Sequence, residues 1–190
     1  MRVLFVRALT IAAASTLSAV LACAPAPPAS PSCDSACQDG NALRALRETM
    51  KLGFNLTLQG KPVGHHDETL PCLRGGTAHI VGDATSNAEQ GTTEIDLTYE
   101  LVNCSYLQKA TTPGANFSMA FNGTVHQKGT LAVQPASTTA VRITSESMSF
   151  KGTVYDPPID YAADGCALDL LQNGSNVSGS MCGRDAGFSF

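Results

Sequence analysis

His65, His66, Asp67 and Glu68 form the densest run of metal-ligating and acid–base side chains in the chain. Catalytic zinc of the H-E-x-x-H type needs two histidines one helical turn apart, with the carboxylate between them. Adjacent histidines have no such spacing, and Pro62, Gly64 and Pro71 around them predict a solvated loop. A rival reading keeps His65, His66 and Asp67 as the site of a metal-dependent or hydrolytic enzyme. His79 and His126 fall on the polar phase of predicted strands, where they could become cross-strand neighbours. Glu94, Asp96 and Glu100 alternate along another strand. Glycoside hydrolysis would need two such carboxylates about 5–9.5 Å apart across a cleft, but a water-facing strand explains the same alternation. No G-x-S-x-G, S-x-x-K, phosphate-loop or dinucleotide pattern is present, and Gly179-Ser180-Met181-Cys182-Gly183 places its cysteine wrongly for a nucleophile elbow.

These groups sit in a chain of 190 residues, enough for one domain with short attachments, of which 43% are hydrophobic and 15% charged. Such a composition excludes a wholly disordered, collagen-like or coiled-coil chain. A net charge of −4 argues against nucleic-acid binding, which needs a basic stripe to displace counterions from phosphates. No cofactor is expected.

The chain starts with Arg2 and Arg7 and continues through an uncharged run over residues 8–22 to small residues, the order of a secretory signal. That run is short for a bilayer-spanning helix, which needs about 20 residues, and Pro25, Pro27 and Pro28 close it. Val20-Leu21-Ala22-Cys23 resembles the lipobox of bacterial lipoproteins, with Val20 where leucine is commoner. The resemblance covers the first 23 residues. It implies cleavage before Cys23, a thioether-linked diacylglycerol on that cysteine and an N-acyl chain; a plain A-x-A cut after Ala24 is the alternative. At about 0.8 kcal/mol per buried methylene, two or three chains hold a protein on a membrane without a spanning helix. Ala24 stands where enterobacterial lipoproteins retained at the inner membrane carry aspartate, which points to the outer membrane. Four prolines in residues 24–32 favour an extended tether of about 3.1 Å per residue. The expected organisation is therefore a signal peptide over residues 1–22, a lipidated cysteine and tether over 23–32, and one domain over 33–190. Losing Arg2 and Arg7 leaves 10 basic against 16 acidic residues. Six N-x-S/T triplets, at Asn55, Asn103, Asn116, Asn122, Asn173 and Asn176, would be glycosylation acceptors in a eukaryotic secreted protein. In a bacterial one they reflect turn composition.

With Cys23 assigned to lipid, Cys33, Cys37, Cys72, Cys104, Cys166 and Cys182 form an even set, as expected of an exported domain with three bridges. Zinc is the weaker reading, because Cys33 and Cys37 have no second cysteine or histidine pair at matching distance. Of fifteen possible pairings, Cys72 with Cys104 and Cys166 with Cys182 are favoured because each pair flanks a stretch that turns back once. That leaves Cys33 with Cys37 as a local link.

The elements that must position all this are mostly strands. Leu43, Leu46 and Met50 mark one face of a helix over residues 41–50, capped by Asp39 and ended by Gly53. Phe54, Leu56 and Leu58 then alternate with polar residues and predict a strand. Ile95, Leu97, Tyr99 and Leu101 form the clearest alternation, and Phe117, Met119, Phe121 and Val125 repeat it. Val141 and Ile143 lie in one phase and Met148, Phe150 and Val154 in the other, which predicts a bulge near residues 145–147. Shorter strands are expected over residues 78–82, 130–134, 166–171, 176–182 and 188–190. Turns are expected at Gly75-Gly76, Pro113-Gly114, Lys128-Gly129, Pro157-Pro158 and Asn173-Gly174. The expected fold is mainly β: an antiparallel meander forming a curved sheet, half-barrel or barrel, with one N-terminal amphipathic helix.

Residues 70–77 (LPCLRGGT) and 101–105 (LVNCS) are similar to segments of small, cysteine-containing, β-rich lipoproteins of unassigned function from environmental bacteria. That resemblance supports the pairing of Cys72 with Cys104 and implies no activity. The functional expectation is a non-enzymatic, membrane-anchored lipoprotein of the bacterial cell envelope, on the outer membrane, with a structural or binding role and a lipid or protein partner. Its apolar rows, including Phe117, Met119, Phe121, Met148 and Phe150, could line an apolar-ligand cavity, although most rows of this kind are simply core.

Overall fold

The computed structural model describes residues 32–87, 91–132 and 138–190. The signal segment, Cys23 and the proline-rich tether up to residue 31 lie outside the described residues, as does the part of the 130–134 strand beyond Ala132. Cys33–Phe190 forms one compact unit.

Helix α1 spans Ser35–Thr57, well beyond the expected 41–50. Asp34, not Asp39, is its cap: the Asp34 side chain accepts a hydrogen bond from the Cys37 backbone N–H at 2.9 Å, and the Cys33–Cys37 disulfide closes the same first turn. Gly53 does not end the helix. It lies inside it, where its bare Cα lets the backbone approach Ile80 and Tyr99. The strand expected over residues 54–58 is a helix end instead. Phe54 and Leu58 are four apart and so share a helical face against the core, while Leu56 is left 60% exposed. The same spacing serves either element, and packing decides. Ala42, Leu43, Ala45, Leu46 and Met50 are the buried apolar stripe of α1.

Among the described residues, eight strands follow the helix: β1 (Gly64–Pro71), β2 (Thr77–Asn87), β3 (Thr92–Gln108), β4 (Phe117–Ala132), β5 (Ala140–Val154), β6 (Ile159–Asn173), β7 (Asn176–Met181) and β8 (Arg184–Ser189). They pair antiparallel in sequence order as one meander. The alternation read in β3 is present: Ile95, Leu97, Tyr99 and Leu101 are buried, with Glu94, Asp96 and Glu100 on the other face. The expected bulge in β5 is also present, as register shifts between Ser145 and Met148 and on to Phe150. It lets Val141, Ile143, Met148, Phe150 and Val154 all reach the core despite their change of phase.

Three further expectations need correction. His65–Glu68 lies in strand β1, not in a loop, because Gly64–Pro71 pairs along its whole length with β2. Lys128-Gly129 is not a turn. β4 runs through it, and Gly129, at φ +136°, brings the two backbones so close that a Cβ there would lie 2.2 Å from the Ala140 carbonyl oxygen. The closed barrel does not form, since the sheet order begins at β1 and ends at β8 with no pairing between them. The helix lies against both edge strands, and a Cβ on Gly40 would be 2.7 Å from the Gly187 carbonyl oxygen of β8.

The core is continuous between α1 and the sheet. Phe121, Phe150 and Tyr161 meet edge-on at its centre, with centroid separations of 5.6 and 6.5 Å. Disulfides join Cys33–Cys37, Cys72–Cys104 and Cys166–Cys182, the pairing favoured above, with Cys104 and Cys166 buried. Asp39 turns inward from α1. Its carboxylate accepts hydrogen bonds from the Arg184 guanidinium (2.8–3.1 Å) and from the Tyr161 hydroxyl (2.6 Å), tying the helix to β8 and β6. Burial and that carboxylate push the Tyr161 phenol well above its ordinary range.

Candidate functional site

Strand alternation separates the residues that the sequence grouped together. His65 and Asp67 lie on the outer face of β1, while His66 and Glu68 point to the other side and are half-buried. His65 Nδ1 is 3.3 Å from an Asp83 carboxylate oxygen, and Glu68 pairs with Lys61. His79 and His126 both face outward, but β3 lies between their strands, so they are not neighbours. His126 hydrogen-bonds Thr98 at 2.9 Å. The three alternating carboxylates each have a partner of their own: Glu94 accepts from Thr130 at 2.6 Å, Asp96 from Lys128 at 2.5 Å and Glu100 from His79 at 3.1 Å. Among the described residues, no group of three or more His, Cys, Asp or Glu side chains is placed to hold a metal ion.

The best-organised part of this face is His79, whose Nε2 meets Asp67 at 2.7 Å and whose Nδ1 meets Glu100 at 3.1 Å. Only the imidazolium can donate from both nitrogens at once. The hydrogen bond to Asp67, then that to Glu100, therefore raises the His79 pKa above its ordinary 6.5. The raised folded value means that the contribution to stability is fully present below about 6.5 and is lost as pH rises through the folded pKa. In an NMR titration the His79 midpoint is expected above 6.5, and Asp67→Asn combined with Glu100→Gln should bring it down. An unchanged midpoint in that variant would refute the bridge.

On the opposite side, between α1 and the sheet, lies a cavity of about 310 Å³. The helix contributes two adjacent stripes: Met50 and Phe54, which are apolar, and Arg47, Lys51 and Asn55, which are polar. From the sheet come Tyr99 on β3, Gln127 and Leu131 on β4, and Gln172 on β6, with Thr139 before β5. The terminal Phe190 completes the wall beneath the Arg47 guanidinium, 3.7 Å above its ring centroid. Arg47 also pairs with Glu48, whose carboxylate lies 3.9 Å from Lys51 Nζ. Thr139 accepts from the Ala132 N–H at 3.1 Å and donates to its carbonyl at 3.2 Å, and the Gln172 amide donates to the Gly174 carbonyl at 3.1 Å.

The Tyr99 hydroxyl differs from these. It is buried, the residue being 1% exposed, and has no hydrogen-bond partner among the described residues. Burial pushes the phenol far above its ordinary range, so it stays protonated with a hydrogen to give. An unmet buried hydroxyl costs about 1–3 kcal/mol. Tyr99→Phe should accordingly raise the ligand-free unfolding free energy by about 1 kcal/mol in urea denaturation. A clear loss of stability would mean that the hydroxyl is already satisfied.

Of the two readings of Phe117, Met119, Phe121, Met148 and Phe150, cavity lining or plain core, the second holds: all five are core side chains and none lines this cavity. Reasoning from apolar rows missed the residues that do. Their signal is a polar side chain on an inward phase: Tyr99 between Leu97 and Leu101, Gln127 after Val125, and Gln172 after Leu168 and Leu170. Comparison with protein families, with curated proteins and with solved structures finds no match.

Proposed function

We propose that the protein is a non-enzymatic binding protein of the bacterial cell envelope, anchored by lipid on Cys23 to the outer membrane and carrying a small apolar ligand. The observation that carries this reading is the cavity of about 310 Å³ between α1 and the sheet. Its size falls at the small end of ligand pockets, and its walls combine apolar side chains with a few polar ones, as such sites do. In this reading the sheet is a half-barrel folded around an amphipathic helix. Both edge strands lie against α1, and inward glycines such as Gly129 and Gly152 permit strong bending. Three disulfides support an oxidising compartment. The lipobox-like Val20-Leu21-Ala22-Cys23 supports the anchor.

The test is native mass spectrometry of the full chain expressed in a bacterium, with denatured unreduced protein for comparison. The expected result is a processed, acylated chain six hydrogens lighter than its reduced form, with an extra native mass from a bound small molecule. Cys23→Ala should remove the acyl mass and release the protein from membranes. An unacylated wild-type chain would overturn the anchor, and failure of any small molecule to bind would overturn the carrier role.

A further inference from the structure

On the carrier reading above, we infer that the cavity takes a small anionic amphiphile: a carboxylate at the mouth against Arg47 and Lys51, an apolar chain along Met50, Phe54 and Leu131, and an oxygen at the buried end that hydrogen-bonds the Tyr99 hydroxyl.

Each part of that ligand answers a different feature of the wall. At the inner end, Tyr99 is among the residues that line the cavity, and its hydroxyl is buried behind that wall without a partner among the described residues. Native folds rarely leave such a group unmet, and an exception at a cavity points to a partner supplied from outside. A purely hydrocarbon tail would leave it unsatisfied. A hydroxyl or carbonyl oxygen would accept its hydrogen.

The middle of the ligand must be apolar, because Met50 and Phe54 lie one helical turn apart and face Leu131 across the space. Charge has no place at the inner end, where the polar groups, Tyr99, Gln127 and Gln172, are all neutral. It belongs at the mouth. Arg47 and Lys51 are also one turn apart and share Glu48 as a neighbour, which leaves one net positive charge there. Lys51 is more than half exposed, so a carboxylate can reach it while still partly in water. The volume admits a small molecule, not a diacyl lipid.

Isothermal titration of the full chain with three ten-carbon probes separates these contributions. ω-Hydroxydecanoate has both polar ends, decanoate lacks the inner oxygen, and decanediol lacks the charge. The Tyr99→Phe variant is the internal reference, so amphiphile partitioning elsewhere cancels. ω-Hydroxydecanoate is expected to bind about tenfold more tightly than decanoate, and Tyr99→Phe should remove that preference without weakening decanoate. Lys51→Gln should weaken both carboxylates several-fold and leave decanediol unchanged. If ω-hydroxydecanoate and decanoate bind equally and neither responds to Tyr99→Phe, the inner contact is overturned while the carrier reading stands. If decanediol matches ω-hydroxydecanoate, the charged mouth is overturned. If no probe binds and the native spectrum holds no ligand, both the inference and the carrier reading fall.

Discussion

Replacing Arg184 with alanine is expected to lower the unfolding free energy by about 3 kcal/mol, a large share of a typical total of about 5–15 kcal/mol. The Asp39 side chain is only 4% exposed, and the guanidinium of Arg184 makes three hydrogen bonds to its carboxylate. Without Arg184, the Tyr161 hydroxyl is the partner that charge keeps among the described residues. Breaking a buried pair from one side costs about 3–5 kcal/mol because the other charge stays behind. Arg184 is itself 59% exposed, so water screens part of the interaction and the lower end of that range applies. Arg184→Lys should recover part of the loss, since it restores the charge but not the planar fork. The double change to Asp39→Ala with Arg184→Ala should cost less than the sum of the singles, because it leaves no buried charge unpaired. Additive urea midpoints at unchanged m would refute the coupling.

Removing the Cys72–Cys104 bridge should have a comparable effect. Its 32-residue separation corresponds to about 4 kcal/mol of loop-closure entropy in the unfolded chain, on the simplest polymer account. Cys72→Ala and Cys104→Ala are expected to lower stability alike, and the double variant should be no worse than either, because one bond is lost in every case. Some of the local geometry should survive. Arg74 and Ser105 donate backbone hydrogen bonds to the Ser105 and Gly75 carbonyls at 3.0 and 2.9 Å, holding the β1–β2 turn on the β3 bulge. Melting temperatures that differ clearly between the singles, or a double variant showing additive loss, would mean that each cysteine acts separately.

The parts of this fold that were legible in the sequence are those where burial on one face leaves an unbroken record. β3 is the best case, because over residues 94–101 its inward residues are all apolar or aromatic and its outward ones all polar. The β5 bulge could be read for the same reason, as one inward row changing phase within one strand. β1 leaves no such record. It is an edge strand whose two faces alternate only between half-buried and exposed, so His66 and Glu68 occupy inward positions that a central strand would fill with Ile or Val. The helix end failed for a different reason, since Phe54 and Leu58 satisfy both periods and only their packing on the core, which leaves Leu56 exposed, selects one. The cavity was out of reach as a whole. Its residues come from α1, β3, β4, β6 and the C-terminus, and no local pattern says that Arg47 will meet Phe190.

The Cys33–Cys37 ring has a mechanical consequence. Helix ends usually peel one hydrogen bond at a time under load, but here the first turn is bridged covalently between residues whose Cα atoms are 5.2 Å apart. A pull arriving at Cys33 therefore bypasses the cap and is delivered beyond Cys37, close to the Asp39–Arg184 ion pair. In a reducing solution the same pull would start at the cap, and the first turn would become the weakest link.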